Sequence, residues 1–248
     1  MIEWIPVQGG KMLLGLRADE ARMLAEAAAT RSCKLVADDP DPLHAEREAR
    51  ELEEKWGNVD YLLEQLAFSL PAHPIELSPF SITKQPVTRG DWRAYQAATQ
   101  AATPEGGSNV TGQDDAPLTG VSWKEANAYA IWRGAKLPTE AQWEHAARGM
   151  EGQALAWGND WLGDDALQGG SIHAPGDFYE WCADEFGPYP GADCQACDRI
   201  QPPPGGWWGT RTRRGGALPG IPETPVMRRG ADPEIRLRDT TFRLVKTA

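Results

Sequence analysis

The chain has 248 residues and a formal net charge of −11, enough length for one large domain or two small ones. Its 26 glycines, 20 prolines and 11 tryptophans foretell much irregular backbone laid over large buried rings. The acidic balance argues against nucleic acid and anionic membranes, which both need a basic face, and no stretch approaches the ~20 apolar residues of a membrane span.

In chain order, "IEWIPVQGGKMLLG" (2–15) reads as a strand, a Gly-Gly turn and a second strand. "RADEARMLAEAAAT" (17–30) is Ala-rich and helical, "DDPDP" (38–42) breaks it, and residues 43–68 are helical again. These helices read as an insertion, at about 17–70, between the first hairpin and the next strand. Residues 73–88 alternate Ile75, Leu77, Phe80 and Ile82 as a strand does, and 89–100 form a short helix with Trp92 and Tyr95 on one face.

Residues 121–149, "VSWKEANAYAIWRGAKLPTEAQWEHAARG", carry the tightest local grammar. Ser122 with Glu125, and Thr139 with Gln142, are spaced as capping boxes, so two helices start there and Gly134 ends the first. After Gly149 the chain reads mostly as turns to about Pro204, and "GTRTRRGGALP" and "DTTFRLVKT" read as strands.

Charge is uneven. Residues 205–248 hold nine basic and four acidic side chains, against −16 for the rest. Either the two parts neutralise each other within one fold, or the acidic surface serves a basic partner. The first residues, "MIEWIPVQGG", lack the basic start and apolar core of a signal peptide. That predicts a cytoplasmic address and reduced thiols at Cys33, Cys182, Cys194 and Cys197.

The segments "WIPVQGGKMLLG" (4–15), "PAHPIELSPFSITKQPVT" (71–88), residues 117–149, "WGNDW" (157–161), "GDFYEWCADEF" (176–186), "RTRRGGA" (211–217) and "FRLV" (242–245) together resemble the formylglycine-generating enzyme, or sulfatase-modifying-factor, family. The resemblance implies an α+β, C-type-lectin-like fold: a single domain over 1–248, with the helical insertion near its N-terminus. It also implies that the helices and tryptophans are frame, with Trp132 and Trp143 in the core, and that function sits on the irregular second half.

The oxygen-dependent enzymes of the family bind copper with a cysteine pair between the "RGG" strand and the last "FR". Here that interval, 217–241, contains no cysteine, and a site of soft thiolates needs thiolates. Asp177 and Thr241 also stand where the family has Asn and Gly. The three-histidine iron site of ergothioneine-type relatives has no counterpart among the scattered His44, His73, His145 and His173. No catalytic residue is assigned.

Three readings of "CQAC" (194–197) stay open: free thiols, a disulfide, or half a metal site completed by Cys182 and His173. Asp160, Asp164, Asp165 and Asp177 are the carboxylates available if this chain holds the structural calcium of its relatives. His145 reads as a structural histidine on its helix.

The expected function is therefore binding of a protein partner, such as a toxin neutralised by an immunity protein, or of a variable ligand. The alternative is a metal- or thiol-dependent oxidoreductase or maturation factor with changed chemistry. Trp207, Trp208, Arg228 and Arg229 are the expected binding residues, since aromatic and arginine side chains dominate interface energy. Adjacent Trp207 and Trp208 cannot both face inward on a strand. Against this stands internal pairing of the arginines with acids such as Asp184 and Glu185.

Overall fold

A computed structural model describes residues 2–37, 55, 57–102, 111–149, 172, 178–192, 209–216 and 224–247. Strands β1 (Trp4–Val7) and β2 (Gly10–Leu14) do not pair with each other. β1 runs antiparallel to β4 (Phe80–Thr83), and β2 to β3 (His73–Leu77), in one shared register from Trp4 opposite Thr83 to Leu14 opposite His73. The expected Gly-Gly hairpin is thus corrected: the chain runs straight through Gly9. That residue is glycine because a Cβ there would lie 2.3 Å from the Leu77 carbonyl oxygen.

Helices α1 (Ala18–Ala37) and α2 (Val59–Leu66) leave and rejoin this ladder between β2 and β3. Two backbone hydrogen bonds, Leu16 N to Ser69 O at 2.7 Å and Ala72 N to Leu16 O at 2.6 Å, clamp the base of the excursion. Asn58 caps α2 by accepting from the amides of Asp60 and Tyr61. Leu24 of α1 meets Leu62 and Leu66 of α2 in an apolar cluster that also takes in Val226 and Met227.

Helix α3 (Arg89–Thr99) starts at a Thr88–Asp91 capping box and buries Trp92 and Tyr95. Helices α4 (Trp123–Trp132) and α5 (Glu140–Arg148) begin at the two capping boxes read from the sequence, with both reciprocal bonds made in each. Gly134, at φ +61°, ends α4, and bonds from Gly134 N to Ile131 O and from Ala135 N to Ala130 O close its last turn.

A four-stranded sheet, ordered β7 (Arg228–Ala231), β6 (Arg211–Gly215), β5 (Tyr179–Glu185), β8 (Thr240–Thr241), lies against α5. β9 (Val245–Thr247) adds to β4, giving a second sheet ordered β1-β4-β9. The architecture is α+β. β5 falls inside a region read as turns, and β7 inside an interval given no element.

Trp92 stacks on Tyr129 at 5.7 Å between ring centres, with Phe242 edge-on to both. Trp143 is fully buried, as the family frame implies. Trp132 is not: it is 38% exposed. It is the last residue of α4, so its ring lies at the rim of the cluster, 5.1 Å from Tyr95 and 5.6 Å from Tyr129.

Candidate functional site

The interior behind β5, β6 and β7 is charged. Helix α5 turns Glu140, Glu144 and Arg148 inward, and the strands answer with Arg214 and Arg228. Arg228 grips Glu140 with two bonds, Nε to Oε2 at 2.7 Å and a terminal nitrogen to Oε1 at 2.8 Å. It also donates to the carbonyls of Phe68 and Gly187 and stacks on Tyr189, 3.8 Å from the ring centre. Arg214 pairs with Glu144 and donates to Tyr189 Oη and Pro225 O, both at 2.8 Å. Arg148 holds the other Glu144 oxygen at 2.6 Å, which the Gly15 amide also reaches. Burial pushes the Glu144 carboxyl up, but Arg214 and then Arg148 outweigh it and hold it below the ordinary carboxylate range.

This network anchors β7 within 224–241, the described part of the interval that the resemblance assigns to the family's chemistry. Arg228 is 1% exposed, so the expectation that it faces a partner is corrected: the guanidinium is consumed by Glu140 and two carbonyls. The pairing is internal, as the competing reading had it, but with neither acid named there. Asp184 instead accepts the Glu140 amide at 2.7 Å, and its carboxyl is pushed up by burial and by the Glu140 charge.

The next residue on β7, Arg229, points the other way. It is half-buried and donates to the Gln65 carbonyl at 2.9 Å and to Gln65 Oε1 at 2.6 Å, tying β7 to the end of α2. Trp207, Trp208, Cys194, Cys197, Asp160, Asp164, Asp165, Asp177, His44 and His173 lie outside the described residues.

Cys182 is fully buried on β5. Burial, and next the Asp184 carboxylate, push its thiol well above the usual range. A protonated thiol without access is neither nucleophile nor metal ligand at neutral pH. Alkylation of the native chain with iodoacetamide is expected to label the exposed Cys33 and leave Cys182 unmodified until the chain unfolds. Peptide mapping that finds both labelled at similar rates contradicts this. His145, 4% exposed, bonds the Gln8 carbonyl through Nε2 at 2.9 Å, joining α5 to the crossing between β1 and β2.

Sequence reasoning passed over a surface feature beside the network. The Arg211 guanidinium lies 4.2 Å from the centre of the Trp123 ring and donates to the Ala183 carbonyl at 3.0 Å. Next to it, a cavity of about 580 Å³ opens between α4, the start of α5 and β9, lined by Asn127, Lys136, Gln142, Ala183 and Lys246 among others. These residues come together only through tertiary packing, so no motif or spacing announced them. Among the described residues, no three His, Cys, Asp or Glu side chains gather as a metal-binding group, and no helix is long and apolar enough to cross a membrane.

The formylglycine-generating enzyme of Streptomyces coelicolor is 29% identical to the chain, across 59% of the chain and 70% of that relative. The inactive C-alpha-formylglycine-generating enzyme 2 of Mus musculus is 46% identical, but over 30% of the chain and only 22% of its own length. In fold, the chain is similar to PvdO from Pseudomonas aeruginosa, with a TM-score of 0.56 at 16% identity, covering 99% of the chain and 94% of PvdO. Residues 45–169, half of the chain, match the sulfatase-modifying factor enzyme 1-like domain, and the chain belongs to that family.

Proposed function

We propose that the chain is a non-catalytic binding member of its family, recognising a protein partner such as a toxin. One observation carries this reading: where the resemblance puts a copper-binding cysteine pair, 217–241 offers no thiol. The residues described there do not fit copper. Met227, the one soft donor in that interval, is 1% exposed and packed in the apolar cluster with Leu24, Leu62 and Leu66. Arg228 beside it is locked to Glu140. A thiolate site needs two facing sulfurs, and this stretch supplies packing and ion pairs instead. The similar mouse protein, inactive by its name, is consistent with the frame persisting without the oxidation.

The alternative of thiol chemistry has less support. Cys182 is held as a buried thiol, and thiol chemistry would fall to the exposed Cys33 or to Cys194 and Cys197.

With Arg228 turned inward, Arg229 at the seam of β7 and α2 remains as the described member of the expected binding set, alongside Trp207 and Trp208. Affinity capture from the native host, using the full chain and its Trp208→Ala and Arg229→Ala variants, tests the reading. The expected result is a specific partner whose recovery falls about tenfold in at least one variant, as for loss of an interface hot spot. Retention of every partner at wild-type strength by both variants, each melting at the wild-type temperature, contradicts this placement of the binding face.

A further inference from the structure

The cavity between α4 and β9 lies apart from the β7 seam and stands independently of the partner-binding reading. Its volume of about 580 Å³ falls in the range of small-ligand pockets. Two cations line it in a chain whose net charge is −11. Lys136 and Val245 exchange backbone bonds, Lys136 N to Val245 O at 3.0 Å and Val245 N to Lys136 O at 2.8 Å. Lys136 and, next to Val245 on β9, Lys246 both line the cavity. The Lys246 ammonium is steadied 4.5 Å from the centre of the Trp4 ring. Among the described residues, neither lysine has a carboxylate partner.

Two side-chain amides complete the lining. Gln142 spends its Oε1 on the Thr139 amide at 3.0 Å, which leaves its NH₂ group for a ligand. Asn127, half-buried one turn beyond Trp123, makes no side-chain hydrogen bond among the described residues. The start of α5 does not add a bare anion site. The Glu140 amide is already taken by Asp184 and the Gln142 amide by Thr139 Oγ1 at 3.1 Å.

That distinction selects the ligand. Phosphate sites draw on free backbone N–H groups at a helix N-terminus, and here two of the first three, those of Glu140 and Gln142, are taken. Two ammonium groups and two planar amides suit a carboxylate, which takes point charge from lysine and directed bonds from the amides. We propose that this cavity binds a carboxylate-bearing ligand, with Lys136 and Lys246 supplying the charge and Asn127 and Gln142 orienting it. The carboxylate belongs either to an acidic peptide segment or to a small free acid.

The test is calorimetric titration of the full chain with a capped tri-glutamate peptide, its tri-glutamine counterpart and succinate, at low and high salt. At least one carboxylate probe is expected to bind where tri-glutamine does not, and to weaken with salt. Binding is expected to fall about tenfold in the Lys136→Gln/Lys246→Gln variant, since each exposed ionic contact contributes a fraction of that change. The Asn127→Ala variant keeps the charge and is expected to lose about threefold, the size of one modest hydrogen bond. Binding of tri-glutamate alone assigns the site to a peptide segment; binding of succinate assigns it to a free acid. The proposal is overturned if no carboxylate probe binds the wild-type chain. It is equally overturned if the double variant, folded by its melting curve, binds as the wild type does. Should the double variant not fold, unchanged affinity in Asn127→Ala overturns it.

Discussion

Replacing Arg243 with methionine is expected to destabilise the chain by about 3–5 kcal/mol, the cost of leaving a buried charge without its partner. Arg243 and Glu180 are both fully buried and face each other in a two-pronged pair, Nε to Oε2 at 2.5 Å and a terminal nitrogen to Oε1 at 2.6 Å. The remaining guanidinium donor bonds the carbonyls of Thr83 and Lys84, each at 3.0 Å. It thereby links the end of the chain to β4 and, through Glu180, to β5. In the variant, Glu180 keeps only the Trp143 Nε1–H bond, at 2.9 Å. The double variant Glu180→Leu/Arg243→Met removes both charges and is expected to be more stable than the single one, because a buried pair replaced by apolar groups of similar volume costs little. Denaturant melts of the three proteins check this. A single variant within 1 kcal/mol of wild type, roughly the worth of an exposed pair, would show that water reaches Glu180.

Truncating Trp143 to alanine is expected to cost about 3–5 kcal/mol, and truncating Trp132 about 1–2 kcal/mol. Trp143 is fully enclosed with Val7, Phe80, Ile82 and Ala146, and its indole N–H is spent on Glu180. Its removal opens a cavity and strips a donor from a buried carboxylate. Trp132 meets Tyr95 and Tyr129 on one side and solvent on the other, with the Arg133 guanidinium 5.4 Å from its ring centre. Much of its apolar area is already wet, and neighbouring rings can close over the gap. Thermal melts of both variants side by side check the ranking. Equal costs for the two would place Trp132 in the core after all.

What the sequence disclosed was local or periodic. The capping boxes at Ser122 and Thr139 are legible because a hydroxyl and a residue three positions on bond within one helical turn. The alternations Ile75–Leu77 and Phe80–Ile82 are legible because a half-buried strand repeats every two residues, but the step of three between them divides the one strand read there into β3 and β4. Where a signal serves a distant neighbour, the reading fails. Gly9 looked like half of a turn, yet it is small so that the Leu77 carbonyl can pass. β5 and β7 carry Glu180 and Arg228 inward, which erases the apolar alternation of a buried strand. Arg228 looked like a surface contact because nothing local reveals that Glu140, 88 positions away, turns toward it. The lysines of the α4–β9 cavity were passed over for the same reason.

The central claim is that this frame persists without the family's oxidation, and the most direct measurement is of a peptide's mass. The chain, supplied with copper and oxygen, is incubated with a cysteine peptide of the sulfatase type beside the similar Streptomyces coelicolor enzyme. The account predicts that the peptide incubated with this chain keeps its cysteine, while the companion sample acquires the mass of an aldehyde in place of the thiol. Aldehyde formation by this chain, lost on boiling and absent without copper, would contradict the account.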